Sequence, residues 1–142
     1  MIFPLNYKIN NYKLSLQKKD SKMKKILILE DEANQRTLYT NILSDAGFYI
    51  SAAASCSEAV QLANIENYDL AVVDLKLETE NGLDAIKKIL TINKKIKIVI
   101  HTSYAEYKQD MQTWSADAYV IKSSDSSELI ATIHNLLGEI KE

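Results

Sequence analysis

Five short runs dominated by apolar residues recur along the chain: residues 24–30 (KKILILE), 48–54 (FYISAAA), 68–74 (YDLAVVD), 96–101 (IKIVIH) and 117–122 (DAYVIK). Three of them are apolar almost throughout instead of alternating, which is the pattern of strands buried on both faces of a parallel sheet. Parallel strands cannot be joined by tight hairpins and need crossovers. The intervening segments carry the helical period such crossovers require. Leu38, Ile42 and Ala46 stand four apart with Leu43 beside them, and Gly47 follows where a left-handed C-terminal cap is usual. Ser55 and Glu58 have capping-box spacing ahead of Ala59, Leu62 and Ala63. Leu83, Ile86, Ile89 and Leu90 form a third stripe, and Tyr107, Met111 and Trp114 a fourth. Asp125 and Glu128 open a fifth, with Leu129, Ile133, Leu136, Leu137 and Ile140. The expectation is five strands alternating with five helices. Right-handed crossovers leave few arrangements, of which a doubly wound α/β fold with a five-stranded parallel sheet in the order 2-1-3-4-5 is the commonest.

Composition narrows the function. A chain of 142 residues, 46% hydrophobic and 25% charged, suits one globular domain. Its 17 basic residues against 19 acidic ones give a net charge of -2, which removes the electrostatic footing of a nucleic-acid binder. The single cysteine, Cys56, excludes an internal disulfide and a multi-thiolate metal site, and no histidine or basic residue beside it would activate the thiol. No run approaches the ~20 apolar residues of a membrane span, and the N-terminus lacks the apolar stretch of ~7 to 15 of a signal peptide. A cytoplasmic protein without a membrane partner is expected.

Open sheets of this kind bind ligands at the carboxyl ends of the strands, near the point where winding reverses, here between strands one and three. Glu30, Asp31 and Glu32 follow strand one, Asp74 ends strand three, Thr102 and Ser103 follow strand four, and Lys122 ends strand five. Strand two ends in alanines. Clustered carboxylates repel one another, and a hard divalent ion such as Mg²⁺, held by carboxylates, waters and a phosphate oxygen, relieves the repulsion. Phosphoryl transfer needs positioning and charge neutralisation, and a carboxylate can itself be the nucleophile, giving an acyl phosphate. Asp74 is the central candidate. Alone, it would equally suit a turn former or helix cap. In register with Asp31, Thr102 and Lys122, it points to chemistry.

The stretches KKILILEDE, YDLAVVDLKLETENGLDAI, IVIHTS and ADAYVIK resemble the receiver domain of bacterial two-component response regulators, over about residues 23 to 140. The resemblance implies a flavodoxin-like (βα)5 fold and a phosphorylatable signalling switch that is not an enzyme beyond its own phosphorylation and dephosphorylation. It implies Asp74 as phosphoacceptor, and Mg²⁺ held by Glu30, Asp31, Asp74 and the Lys76 carbonyl. Lys122 would contact the phosphoryl group, Thr102 would hydrogen-bond to it, and Tyr119 would be the switch aromatic, although a plain core aromatic at 119 remains open. Lys76 and Tyr104, two positions beyond Asp74 and Thr102, match places that tune the lifetime of the phosphorylated form. The implied partners are a histidine kinase or phosphotransfer protein and an unknown downstream protein. Because the chain stops after the fifth stripe, a stand-alone receiver is expected, with output through the face of the fourth helix, fifth strand and fifth helix.

The chain departs from the family pattern at four places. Glu30 stands for aspartate, Glu78 for proline, Ser103 for alanine, and Ser123 for a proline often preceded by a cis bond. A cis bond before a non-proline residue costs about 3 to 4 kcal/mol, so the turn after Lys122 is expected to be trans. His101 reads as a strand-end side chain, and the lysine-rich KKDSKMKK and NKKIK as solvated faces. Residues 1–22 form an N-terminal extension of unclear role ahead of a domain at 23–142, and the alternation of Tyr12, Leu14 and Leu16 permits a short extra strand. Two competing functions stand beside the switch. One is a degenerate receiver acting as a phosphorylation-independent interaction module. The other is a small metal-dependent phosphohydrolase, which lacks the second acid such an enzyme would carry at position 76.

Overall fold

A computed structural model describes residues 23–110 and 114–138, so the extension at 1–22, Met111 and Ile140 lie outside the described residues. The strands are β1 (Lys25–Leu29), β2 (Tyr49–Ala53), β3 (Leu70–Val73), β4 (Lys97–Thr102) and β5 (Ala118–Ile121). Among the described residues four α-helices cross between or after them: α1 (Ala33–Asp45), α2 (Cys56–Ile65), α3 (Gly82–Ile92) and α4 (Ser127–Leu136). The strands pair in parallel in the order β2-β1-β3-β4-β5, as the alternation predicts. The register sets Leu29 beside Val73 and Thr102 beside Ile121, so the polar residues that follow these strands gather at one edge.

The alternating side chains of each strand feed two cores. Leu27, Leu29, Ala71, Val73, Ile98 and Ile100 pack under α2 and α3. Ile26, Ile28, Leu70, Val72, Val99 and Val120 pack under α1 and α4, against Tyr39, Leu43, Leu129 and Ile133. Burying each Val, Leu or Ile side chain of this kind stabilises the fold by about 1.5–3 kcal/mol. The near-continuous apolar runs thus follow from helices covering both faces.

Side-chain caps hold three helix starts. Glu32 accepts from the N–H groups of Asn34 and Gln35, Ser55 from Glu58, and Asn81 from Leu83. The box at Ser55 closes one residue early, because the Glu58 carboxylate accepts from the Ala54 N–H instead of that of Ser55. Gly47 takes φ +101° just beyond α1, as its position predicts. Gly82 serves close approach instead. A Cβ there would lie 2.1 Å from the Asp74 carbonyl oxygen.

The fourth helical stripe is a correction. Among the described residues the segment after β4 forms a 3₁₀ helix, Ala105–Asp110, with no buried residue, where an α-helix was expected. Tyr107 and Trp114 pack only partly against the core, with ring centroids 6.2 Å apart. Helical stability in proteins comes mainly from packing, and Tyr107 and Trp114 supply only partial burial here.

Candidate functional site

The loops after β1 and β3 bring three acids together. Carboxylate oxygens of Glu30, Asp31 and Asp74 all lie within 4.8 Å of one another. Glu30 and Asp74 are buried, and Asp31 is half-buried. Each is held by backbone. Glu30 accepts from the Glu32 N–H at 3.2 Å, and Asp74 from the Lys76 N–H at 3.2 Å. Asp31 accepts from the Glu78 N–H. That last bond uses a donor that a proline at position 78 would lack. The Arg36 guanidinium clamps the β1–α1 loop by donating to the carbonyls of Glu30 and Asp31, at 3.0 and 3.2 Å.

Lys122 enters this cluster from the end of β5. Its ammonium donates to Asp74 Oδ2 at 2.8 Å, to Gln35 Oε1 at 2.6 Å and to Glu30 Oε1. Among the described residues no peptide bond is cis, so the turn at Ser123 is trans and Lys122 still reaches both carboxylates. Burial opposes the lysine's charge, but hydrogen bonds to Asp74 and Glu30 outweigh it and hold Lys122 above its usual pKa. Burial raises the Glu30 pKa above its ordinary value, against the pull of Lys122. One ammonium among three carboxylates leaves an excess of negative charge. An all-oxygen donor set of this charge fits a hard divalent cation such as Mg²⁺.

A second group of residues flanks the acids. Thr102 is fully buried, and its hydroxyl oxygen accepts from the Tyr104 N–H at 3.4 Å. Tyr119 is buried and donates its O–H to the Tyr104 carbonyl. The Lys76 ammonium stands 4.8 Å from the Tyr104 ring centre and 5.3 Å from that of Tyr107, a cation–π pairing at the site's rim. His101 is buried edge-on to Tyr39, with ring centres 4.7 Å apart, and burial lowers its pKa to about 4. Cys56 is buried and pushed up to about 11 by burial. A thiol held that high is overwhelmingly protonated near neutral pH and a poor nucleophile.

Residues 26–134 match the family model of the response regulator receiver domain. The chain belongs to this family. As a receiver domain it is similar to the transcriptional regulatory protein CusR of Escherichia coli (strain K12), 31% identical over 115 residues, which cover 80% of this chain and 51% of CusR. The chain thus spans about half the length of the first curated relatives it matches. The response regulator TrrA of Thermotoga maritima, solved in complex with Mg(2+)-BeF, superposes with a TM-score of 0.75 at 35% identity, covering 80% of this chain and 99% of that one. TrrA in complex with the histidine kinase ThkA gives a TM-score of 0.73 at 36% identity, covering 81% of this receiver and 99% of TrrA. No helix among the described residues is long and apolar enough to cross a membrane.

The fold brings the side chains of Glu30, Asp31, Asp74 and Lys122 together, pairs the Thr102 carbonyl with the Lys122 N–H at the same edge, and links Lys76 and Tyr119 to Tyr104. Gln35 is the site residue that the strand-end reading misses. It lies on the first turn of α1, four positions beyond Asp31. A search of first helical turns as well as strand ends would have found it.

Proposed function

We propose that this receiver is a Mg²⁺-dependent signalling switch that takes a phosphoryl group on Asp74 from a phosphorylated histidine. The observation that carries the reading is the position of Asp74, whose carboxylate lies between two further acids and a lysine at the end of a buried strand. One Asp74 oxygen attacks phosphorus. As the new P–O bond forms, the P–N bond breaks, and its electron pair stays with the leaving imidazole. Held by Glu30, Asp31, Asp74 and the Lys76 carbonyl, Mg²⁺ would supply the charge neutralisation that phosphoryl transfer requires. Lys122 turns an N–H toward a phosphoryl oxygen, and the Thr102 hydroxyl donates to another. Tyr119 and Tyr104 then carry the local charge event to the surface beyond β4.

The donor is a histidine kinase or phosphotransfer protein, a reading supported by the TrrA–ThkA complex. Output goes to a downstream protein from a cytoplasmic domain at residues 23–142, with residues 1–22 appended to it. The net charge of -2 supports an output that does not use nucleic acid. The test is incubation with acetyl phosphate and Mg²⁺ followed by intact mass. A single phosphoryl adduct on wild type that is absent from Asp74→Asn is expected. Equal labelling of both proteins would refute the assignment, and no labelling of wild type, with or without its kinase, would favour a phosphorylation-independent module.

A further inference from the structure

The three N–H bonds of the Lys122 ammonium meet three oxygens from three different elements. Glu30 stands at the end of β1 and Asp74 at the end of β3, whereas Gln35 belongs to the first turn of α1. An ammonium has three donors and no acceptor, so the Gln35 amide must face it with its carbonyl oxygen. Gln35 is also the neutral member of the set. Its backbone is held in place twice over. Its N–H donates to the capping Glu32 carboxylate at 2.8 Å, and the neighbouring Arg36 ties the same turn to the carbonyls of Glu30 and Asp31.

This arrangement has a consequence for phosphoryl transfer. When an Asp74 oxygen forms its bond to phosphorus, that residue's charge passes into the acyl phosphate, and Lys122 must redirect one N–H to a phosphoryl oxygen. Two N–H bonds then remain to hold a flexible four-carbon arm in place. Glu30 belongs to the carboxylate cluster and divides its charge among several partners. Gln35 has no net charge to divide and accepts from the lysine at 2.6 Å from a rigid helical turn.

We propose that Gln35 is a positioning residue for Lys122, anchoring its ammonium while the lysine moves from the Asp74 carboxylate to the phosphoryl group. The proposal rests on the phosphoacceptor reading of Asp74. It acts through Lys122 alone, and this makes it separable from a structural role.

The experiment measures the rate of phosphorylation by acetyl phosphate in wild type, Gln35→Leu, Lys122→Ala and the double variant. Gln35→Leu is expected to slow the reaction about tenfold, the effect of one charge-assisted hydrogen bond. In the Lys122→Ala background the same change should have almost no effect, because interacting groups are non-additive. Independent of phosphorylation, the Lys122 ammonium protons should exchange with water faster in Gln35→Leu than in wild type, read from nitrogen–proton spectra of the resting protein. A Gln35→Leu rate equal to wild type, or an equal loss with and without Lys122, overturns the positioning role and leaves the Asp74 reading intact. Failure of wild type to be phosphorylated at Asp74 overturns both readings.

Discussion

The acid end of β1 and β3 and the turn after β4 border the same site and are built differently. At the acid end Glu30 accepts from both Lys122 and the Glu32 N–H, Asp74 from both Lys122 and the Lys76 N–H, and Arg36 locks the intervening loop. Side chains cap the helices that begin there, and Gly82 lets α3 press against the Asp74 backbone. The turn after β4 hangs on less. Tyr104 is tied by a 3.4 Å bond to Thr102 and by the Tyr119 hydroxyl, and the 3₁₀ helix that follows buries no residue. The nucleophile proposed at Asp74 and its charge partners would gain from being over-determined, because phosphoryl transfer depends on positioning. A segment with few buried contacts opens at lower free-energy cost, and moving elements are drawn from that end of the stability range.

The largest effect expected is at Gly82. Gly82→Ala drives a Cβ into the Asp74 carbonyl, and overpacking of this kind costs typically about 1–3 kcal/mol, here at the upper end or beyond it because the clash is with backbone. Gly47→Ala is the control, strained by its positive φ but with nothing within 4 Å, and should cost about 1 kcal/mol. Urea unfolding of both variants ranks them, and an equal loss would break the claim that the acid end is the more tightly built.

Histidine 101 extends the comparison to pH. Its pKa falls from 6.5 to about 4 on folding, chiefly through burial, so between these values the unfolded chain binds the extra proton. Stability from this group is complete above pH 6.5 and is lost as pH falls toward 4, on the order of 3 kcal/mol in all. His101→Asn should flatten that slope in urea titrations at a series of pH values. An unchanged slope would assign the acid sensitivity elsewhere.

A smaller effect is expected beyond β4. Tyr119→Phe deletes the hydroxyl that donates to the Tyr104 carbonyl, a loss of about 1 kcal/mol, and amide exchange should quicken at residues 104–110 while the amides of α1 stay unchanged. Exchange that quickens equally in both regions would erase the distinction between them. Last, Lys76→Ala with Tyr104→Ala removes the rim pair over the site and should shorten the lifetime of the phosphorylated form a few-fold with no shift in the urea midpoint. A lifetime equal to or longer than wild type counts against shielding.

The chain itself specified the architecture to a large degree. Apolar runs with no alternation require helices on both faces, and crossover handedness then leaves little freedom in strand order. The strand ends delivered Glu30, Asp31, Asp74, Thr102 and Lys122 to one edge before any contact was known, because in a parallel sheet every strand ends on the same side. Three features came only from the folded structure. Gln35 joins Lys122 across 87 positions of sequence, a contact made by where α1 sits on the sheet and not by any local pattern. The 3₁₀ helix at Ala105–Asp110 replaced an expected α-helix because a periodic stripe shows which face is apolar but not how much of it the sheet will bury. Nothing in the local pattern around Gly82 marks it as a close-approach position. Its necessity appears only when α3 is docked and the missing Cβ is seen to be the space the Asp74 carbonyl occupies.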